Sequence, residues 1–215
     1  GLRIHDLANR AAKTGSGFRG HFGWLSYPEQ GGSREPGSRG GCVRDPVLWI
    51  ALLLALALRA GLLLLYPYLP GLGDESLHYV MAVLVEQLGH GVMGHWGPGY
   101  EVFLASIFSA AGPDPWAAKA VQVFVSTASV LLIWAIAYRA GGQRAGRIAA
   151  FLAAVYPSLV AYATYLYSET LFLALILAGM TALFGLSGER TRLRCVVAGI
   201  FFGLATLTRS LVLYF

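Results

Sequence analysis

The sequence predicts an all-α polytopic membrane protein, and three observations support that fold class. Apolar residues make up 56% of the 215 residues, charged residues make up only 13%, and the mean hydropathy is +0.60. A soluble domain carries roughly 25% charged residues. Apolar runs long enough for a bilayer core of about 30 Å recur along the chain. Lys and Arg cluster between these runs, so the net charge of +5 indicates membrane orientation and not nucleic-acid binding.

Residues 1–45 differ from the rest and predict a flexible basic cytoplasmic tail. They combine Gly, Ser and Pro with several basic residues and show no apolar periodicity. The segment is too long and too polar for a signal peptide. The two cysteines, Cys42 and Cys195, have no metal-binding spacing and predict no disulfide.

Five apolar segments predict membrane spans. The spans cover about 46–66, 116–138, 148–165, 169–186 and 195–215. The first contains one charge, Arg59, and the third contains Pro157. The fifth stops at Phe215 without a polar flank, so we expect the chain to be the N-terminal piece of a longer protein, inactive by itself.

Basic residues predict the orientation of these spans. None lies between Pro67 and Lys119, which defines an outer loop over 67–115, whereas Arg residues cluster at 139–147 and 190–194. The apolar run 98–111 spans only about 21 Å as a helix, so it is expected to lie flat or re-enter. The basic clusters and the N-terminus then all lie in the cytoplasm, as for a protein of the plasma (inner) membrane.

The outer loop predicts two membrane-associated helices. In the first, Asp74–Gly89, apolar residues recur at spacings of three and four, which gives one stripe suited to a membrane surface. This stripe contains Leu77, Val80, Met81, Leu84, Val85 and Leu88. Gly112 and Pro113 end the second helix, which begins at Pro98.

Asp74 and Glu75 begin the first of these helices and are candidate catalytic residues. A carboxylate on the outer side could act as the general base that activates an acceptor hydroxyl or amine. Alternatively, Asp74 caps the helix and stabilises its dipole. His78 lies one turn further and either shares the site as a substrate-binding group or is an ordinary polar surface residue.

Glu169 and Arg209 are candidate substrate-binding residues. Glu169 begins the fourth span on the outer side, where two acidic sites could hold a polar substrate or a divalent metal. Alternatively, Ser168 caps the helix and Glu169 is a first-turn residue that stabilises the helix start. Arg209, near the outer end of the fifth span, could bind a lipid phosphate or extend its guanidinium to the interface. Arg59 has the same two interpretations, with extension to the interface preferred.

The order of these pieces resembles the GT-C membrane glycosyltransferases of the family 39/83 kind, which include protein O-mannosyltransferases and aminoarabinose transferases. The resemblance covers about residues 46–215. It rests on GDESLHY at 73–79, GPGY at 97–100, the basic segment 138–147, YPS at 156–158, YSETLF at 167–172 and GLATLTR at 203–209. Relatives often have Arg-Pro where this chain has Arg209-Ser210.

The resemblance implies a GT-C-like helix bundle and a reaction. A hexose or pentose on a polyprenyl or dolichyl phosphate is transferred to a lipid or protein acceptor on the non-cytoplasmic face. Asp74, with Glu75 beside it, corresponds to the family's base, and Glu169 and Arg209 to its substrate-binding groups. Two other function classes remain open, namely a transporter or permease subunit and a non-catalytic membrane assembly protein.

Overall fold

The computed structural model of the chain describes residues 45–65, 73–89, 97–184 and 191–209, all within one compact unit, Gly40–Phe215. Helices and no strands occur in these ranges. They are α1 (Pro46–Leu65), α2 (Asp74–Leu88), α3 (Gly99–Ala111), α4 (Pro115–Val155), α5 (Pro157–Tyr162), α6 (Ser168–Leu183) and α7 (Thr191–Thr208). The predicted tail up to residue 44 and the last six residues of the fifth predicted span lie outside the described residues.

Three of the described helices are long and apolar enough to cross a membrane, namely α1, α4 and α7. The helices α3 and α6 are apolar but shorter. With 41 residues, α4 would measure roughly 60 Å if it were straight, about twice the thickness of a bilayer core. The chain is therefore an all-α membrane protein.

The long helix α4 folds into a hairpin at Gly142. Gly142 has φ 79° and ψ −171°, a conformation that glycine adopts without a steric penalty. Beyond it the chain runs back along itself, and an added Cβ on Gly146 would lie 3.1 Å from the indole nitrogen of Trp134. The first arm of α4 covers the second predicted span. The second arm covers the third predicted span, 148–165, only as far as Val155, because the helix ends before Pro157 and α5 follows.

The helix α1 packs between the two arms through small side chains and one buried cation. Arg59 is completely buried, and its Nε donates to Ser126 Oγ at 2.8 Å. Its terminal nitrogens donate to the carbonyls of Ala154 at 3.1 Å and Ala153 at 3.3 Å. These carbonyls lie in the last turn of α4, where the helix has no donors left and Pro157 has no N–H. The preferred interpretation of Arg59, extension to the interface, is wrong because the bundle itself satisfies the guanidinium.

One end of the bundle collects the basic residues and is called here the basic end. Arg147 Nε lies 2.8 Å from Asp45 Oδ2, just before α1 begins. Hydrogen bonds from Arg147 outweigh burial and lower the pKa of Asp45 to about 2. Arg139 donates to the carbonyls of Thr181 and Phe184, which closes the last turn of α6.

The opposite end, called here the acidic end, joins α2 and α3 to the bundle. An added Cβ on Gly99 would lie 2.8 Å from the carbonyl carbon of Leu207 and the nitrogen of Thr208, so only glycine allows this contact. The start of α3 therefore lies directly against the end of α7. Antiparallel packing of α6 on α7 brings residues 163–169, which precede and begin α6, to the same end.

Candidate functional site

The helix α2 buries two of its polar side chains and exposes part of its apolar surface. Glu75 and His78 are buried, whereas Leu77, Val80 and Leu88 are exposed. An exposed apolar face is unusual for a helix surrounded by water but suits one that lies on a lipid surface. Glu75 and His78 are thereby available to the protein interior, and three of the six residues of the predicted apolar stripe are exposed.

Glu75 forms a buried ion pair with Lys119 of α4. Lys119 Nζ lies 2.8 Å from Glu75 Oε1, and the side chains are 2% and 7% exposed. The same carboxylate oxygen accepts a hydrogen bond from the backbone N–H of Leu166 at 3.1 Å. Glu75 therefore connects α2, α4 and the segment before α6, and its carboxylate is occupied by these contacts.

His78 forms a second buried pair, with Glu101 of α3. His78 Nδ1 lies 3.0 Å from Glu101 Oε1, and both side chains are at least nine-tenths buried. The ring of Tyr100 meets the His78 ring edge-on, with 4.8 Å between the centroids. His78, a candidate substrate-binding residue, thus lies within the packing between α2 and α3.

Tyr100 and Gln122 continue this polar network. Tyr100 donates its hydroxyl hydrogen to Gln122 Oε1, and Gln122 Nε2 donates to the carbonyl of Tyr165, each at 2.5 Å. The side chains of Tyr100 and Gln122 are completely buried. Together with the two pairs above, these bonds hold α2, α3, α4 and residues 163–167 in one arrangement.

Glu169 and Arg209 form an ion pair that connects α6 to the end of α7. Arg209 Nη1 lies 2.5 Å from Glu169 Oε1, and each side chain is 37% exposed. Glu169 lies in the first turn of α6, after Tyr167 in the N-cap position, and Ser168 is the first residue of the helix. Unlike Glu75 and His78, this pair is accessible to a ligand.

Asp74 is exposed in the first turn of α2, and Gly73 occupies the N-cap position without a side-chain bond. The hydrogen bond from the Leu166 N–H to Glu75 Oε1 brings the start of α2, which carries Asp74, to the segment that leads into Glu169. Burial raises the pKa of the Tyr167 hydroxyl, and the carboxylates of Asp74, Glu75 and Glu169 raise it further. Asp74 and Glu169, far apart in sequence, therefore both lie at the acidic end, in the first turns of α2 and α6.

Two cavities flank α6. One, of about 300 Å³, lies between α4, α5 and α6 and has Glu169 in its wall. The other, of about 360 Å³, lies between α3, α6 and α7 and is lined by Val102, Phe103, Leu204 and Thr208, among others. Within the described ranges, no three His, Cys, Asp or Glu side chains gather to hold a metal ion.

Sequence reasoning missed Glu101, Lys119 and Gln122 as members of the network. Each of them lies inside an apolar run, where a charged or strongly polar side chain is costly unless it is paired. The energetic cost of placing a polar side chain in an apolar run is the sequence feature that could have identified these residues as members of a paired network. It predicts that Lys119 needs an anion but not which carboxylate supplies it; the tertiary structure brings Glu75 to Lys119.

A comparison with known families is consistent with this architecture. A family model described as dolichyl-phosphate-mannose-protein mannosyltransferase matches residues 95–215, more than half of the chain. The match contains Glu101, Lys119, Glu169 and Arg209 and starts after α2. No curated protein and no solved structure gave a match.

The match supports the resemblance to the GT-C superfamily, whose members are membrane glycosyltransferases that use lipid-linked sugar donors. It also favours an enzyme over a transporter subunit or an assembly protein. The chain belongs to the dolichyl-phosphate-mannose-protein mannosyltransferase family.

Proposed function

We propose that this protein transfers a sugar from a polyprenyl-phosphate donor to an acceptor on the non-cytoplasmic face of the membrane, with Asp74 as the general base. The observation that carries this proposal is the contact between the start of α2 and the start of α6: the Leu166 N–H donates to Glu75 beside Asp74, and Glu169 three residues after Leu166 pairs with the accessible Arg209. Asp74 is exposed, whereas Glu75 is paired with Lys119 and Glu169 is paired with Arg209.

In the proposed reaction, the Asp74 carboxylate accepts the proton of the acceptor hydroxyl or amine. The acceptor atom then forms a bond to the anomeric carbon, and the bond from that carbon to the phosphate oxygen breaks. Polyprenyl phosphate leaves with the electron pair and the negative charge. The phosphate lies at the Arg209 guanidinium, whose remaining N–H groups can bind its oxygens beside the bond to Glu169.

Glu75 and His78 have positioning roles in this proposal. Their side chains are buried and connect α2 to α4, α3 and the segment before α6. The backbone that carries Asp74 is therefore held against the backbone that carries Glu169. Such rigid support matters because a misplacement of about 1 Å at a reacting group can cost on the order of a hundredfold in rate. A divalent metal at the acidic end stays a prediction.

Replacing Asp74 with Asn tests the catalytic assignment. In the full-length protein, sugar transfer from a polyprenyl-phosphate donor should fall by about a hundredfold or more, because the amide cannot accept the acceptor's proton. Glu86→Gln is the matched control, since Glu86 is an exposed acid on the same helix. Full transfer by folded Asp74→Asn would refute this role for Asp74.

The proposed orientation places the basic end in the cytoplasm and the acidic end outside. A single cysteine at Arg144, in a background without Cys42 and Cys195, should react with a membrane-impermeant maleimide only after the cells are opened. A cysteine at Gly89, the exposed residue after α2, should react in intact cells. The reverse pattern would place the acidic end in the cytoplasm and contradict the topology.

A further inference from the structure

The cavity between α4, α5 and α6, here called the α5 cavity, has one polar and one apolar end. Its volume is about 300 Å³. Glu169 lines it from the first turn of α6, at the acidic end, and Phe172 and Leu173 line it one turn further towards the basic end, as does Leu159 of α5. The other residues in its wall are Ser126, Ser129, Tyr156, Ser158, Tyr162 and Thr170. This arrangement suits a ligand with a polar head and an apolar chain.

The polar atoms in the wall of the α5 cavity mainly accept hydrogen bonds. Three hydroxyls donate their hydrogens to backbone carbonyls, namely Ser126 to Leu159 at 3.2 Å, Ser129 to Val125 at 3.1 Å and Thr170 to Tyr162 at 2.9 Å. Each leaves oxygen lone pairs for the cavity, and the hydroxyls of Tyr156, Ser158 and Tyr162 can donate or accept. No Lys or Arg lines the cavity. A hydrogen-bond donor therefore suits it better than an anion.

The Glu169 carboxylate has room for a second cation besides Arg209. Its Oε1 pairs with Arg209 Nη1, which lies outside the wall of the cavity. Its Oε2 forms no hydrogen bond with the part of the chain that the structure describes. A carboxylate offers about four acceptor positions. A positively charged donor in the α5 cavity can therefore bind Glu169 while Arg209 stays in place.

Tyrosine rings add to the attraction for a cation at this end. Tyr162 lines the cavity, and 6.1 Å separate its ring centroid from that of Tyr167, two residues before Glu169. Tyr167 in turn stacks on Tyr165 at 5.7 Å. Both Tyr162 and Tyr165 are partly exposed. The face of an aromatic ring attracts an ammonium group within about 6 Å. A carboxylate beside such rings suits a protonated amine.

A buried cation behind the inner wall determines the direction of the ligand. Arg59 Nε lies 2.8 Å from Ser126 Oγ, and within the described ranges no carboxylate pairs with Arg59. Its charge repels a second cation strongly, because the low dielectric of the interior screens it little. The amine of a ligand therefore lies at Glu169, and the apolar chain occupies the inner end beside Phe172.

We propose that the α5 cavity binds an amphiphile whose protonated amine lies at Glu169 and whose hydrocarbon chain lies beside Leu159, Phe172 and Leu173. This inference deepens the proposed function and rests on it for the ligand's role, which is that of an amine-bearing lipid acceptor. The charges of donor phosphate, Arg209, Glu169 and acceptor ammonium then alternate. The bound ammonium has no lone pair, so a hydroxyl of the same lipid gives its proton to Asp74. A lysine side chain reaching Glu169 from outside would leave the inner end empty.

The test is a binding titration of the full-length protein in non-ionic detergent with hexylammonium, followed by saturation-transfer NMR at pH 7. Hexylammonium should bind about fivefold more tightly than 1-hexanol, which has the same chain and a neutral head. Glu169→Gln should remove this difference. Glu86→Gln, the same change at an exposed acid of α2 outside the cavity, should leave it unchanged.

Two further arms define the charge and the source of the ligand. Arg209→Gln removes the cation that shares Glu169 and should strengthen hexylammonium binding, whereas a site for anions would show weaker hexylammonium binding or none. Nα-acetyl-lysinamide carries the same ammonium group without a free chain and should bind about fivefold more weakly than hexylammonium. Equal binding of the two would overturn the assignment to a lipid.

A second measurement decides the matter if Glu169→Gln does not fold. An alkylamine with a photoreactive group on its chain should label wild-type peptides that contain residues 156–162 or 169–173. Labelling confined to other peptides, equal binding of hexanol, or unchanged binding by folded Glu169→Gln would overturn the proposal. Binding and labelling as expected without any sugar transfer would contradict the proposed function alone. Sugar transfer that depends on Asp74, without hexylammonium binding, would contradict this inference alone.

Discussion

Replacing Lys119 with Met should lower the free energy of unfolding by about 3–5 kcal/mol, the range for removing one partner of a buried ion pair. The Glu75 carboxylate would remain buried without its cation while still accepting the bond from the Leu166 N–H. Unfolding by sodium dodecyl sulfate in mixed micelles, followed by tryptophan fluorescence, measures this change. Sugar transfer should fall as well, because the support of the acidic end is lost.

The double variant Glu75→Gln with Lys119→Met separates the charge effect from the packing effect. It leaves no uncompensated charge, and the Gln carbonyl can still accept the bond from Leu166. Stability should therefore recover most of what the single variant loses. Glu86→Gln makes the same chemical change at an exposed site of α2 and should alter stability by no more than about 0.5 kcal/mol. A Lys119→Met protein as stable as the wild type would refute the importance of the pair.

Replacing Arg59 with Met should also destabilise the protein strongly, by about 3–5 kcal/mol. The guanidinium donates to Ser126 and to the carbonyls of Ala153 and Ala154, and hydrogen bonds to a charged group contribute about 1.5–3 kcal/mol each without adding fully. Without them, the end of α4 before Pro157 has carbonyls with neither water nor protein donors. Unfolding in the same micelles measures the loss.

Arg59→Lys should recover only part of this stability. One ammonium group cannot reproduce the planar set of donors that reaches a hydroxyl and two carbonyls from different arms of α4. The control is Arg144→Met, which removes an exposed arginine at the basic end and should change stability little. If Arg59→Met and Arg144→Met unfolded at the same detergent fraction, the bundle would not depend on the Arg59 contacts.

The fold was largely predictable from the sequence because the forces that shape a membrane helix act locally along the chain. Apolar length, flanking basic residues and the glycine and proline positions predict α1, both arms of α4, and the two helices of the outer loop. The sequence predicts a loop between the second and third spans, and the chain reverses at Gly142 within that loop. The helix α6 begins at Ser168, one residue before the predicted start of the fourth span at Glu169. A helix in lipid must satisfy its own backbone, so a long apolar run leaves few alternatives.

The candidate site was predictable in its parts and not in its connections. Composition and motifs singled out Asp74, Glu75 and Glu169, but left Asp74 with a capping and a chemical role and Glu169 with a first-turn and a substrate-binding role. The contacts distinguish them, since Glu75 is buried against Lys119 and Asp74 is exposed. The pairing partner of a buried charge depends on which helix packs beside it, and this information is spread over distant parts of the chain.

By itself, the sequence determined that the chain is an α-helical membrane protein whose Lys and Arg residues are absent from the segment 67–118, which carries five of its acidic residues. Apolar run length and charge position suffice for that conclusion, because they decide which segments can enter lipid. Only the tertiary structure decided that α2 buries Glu75 and His78, that Arg59 closes the end of α4, and that Arg209 meets Glu169. The physical reason is that a charge away from water must find a partner, and packing alone brings that partner within reach.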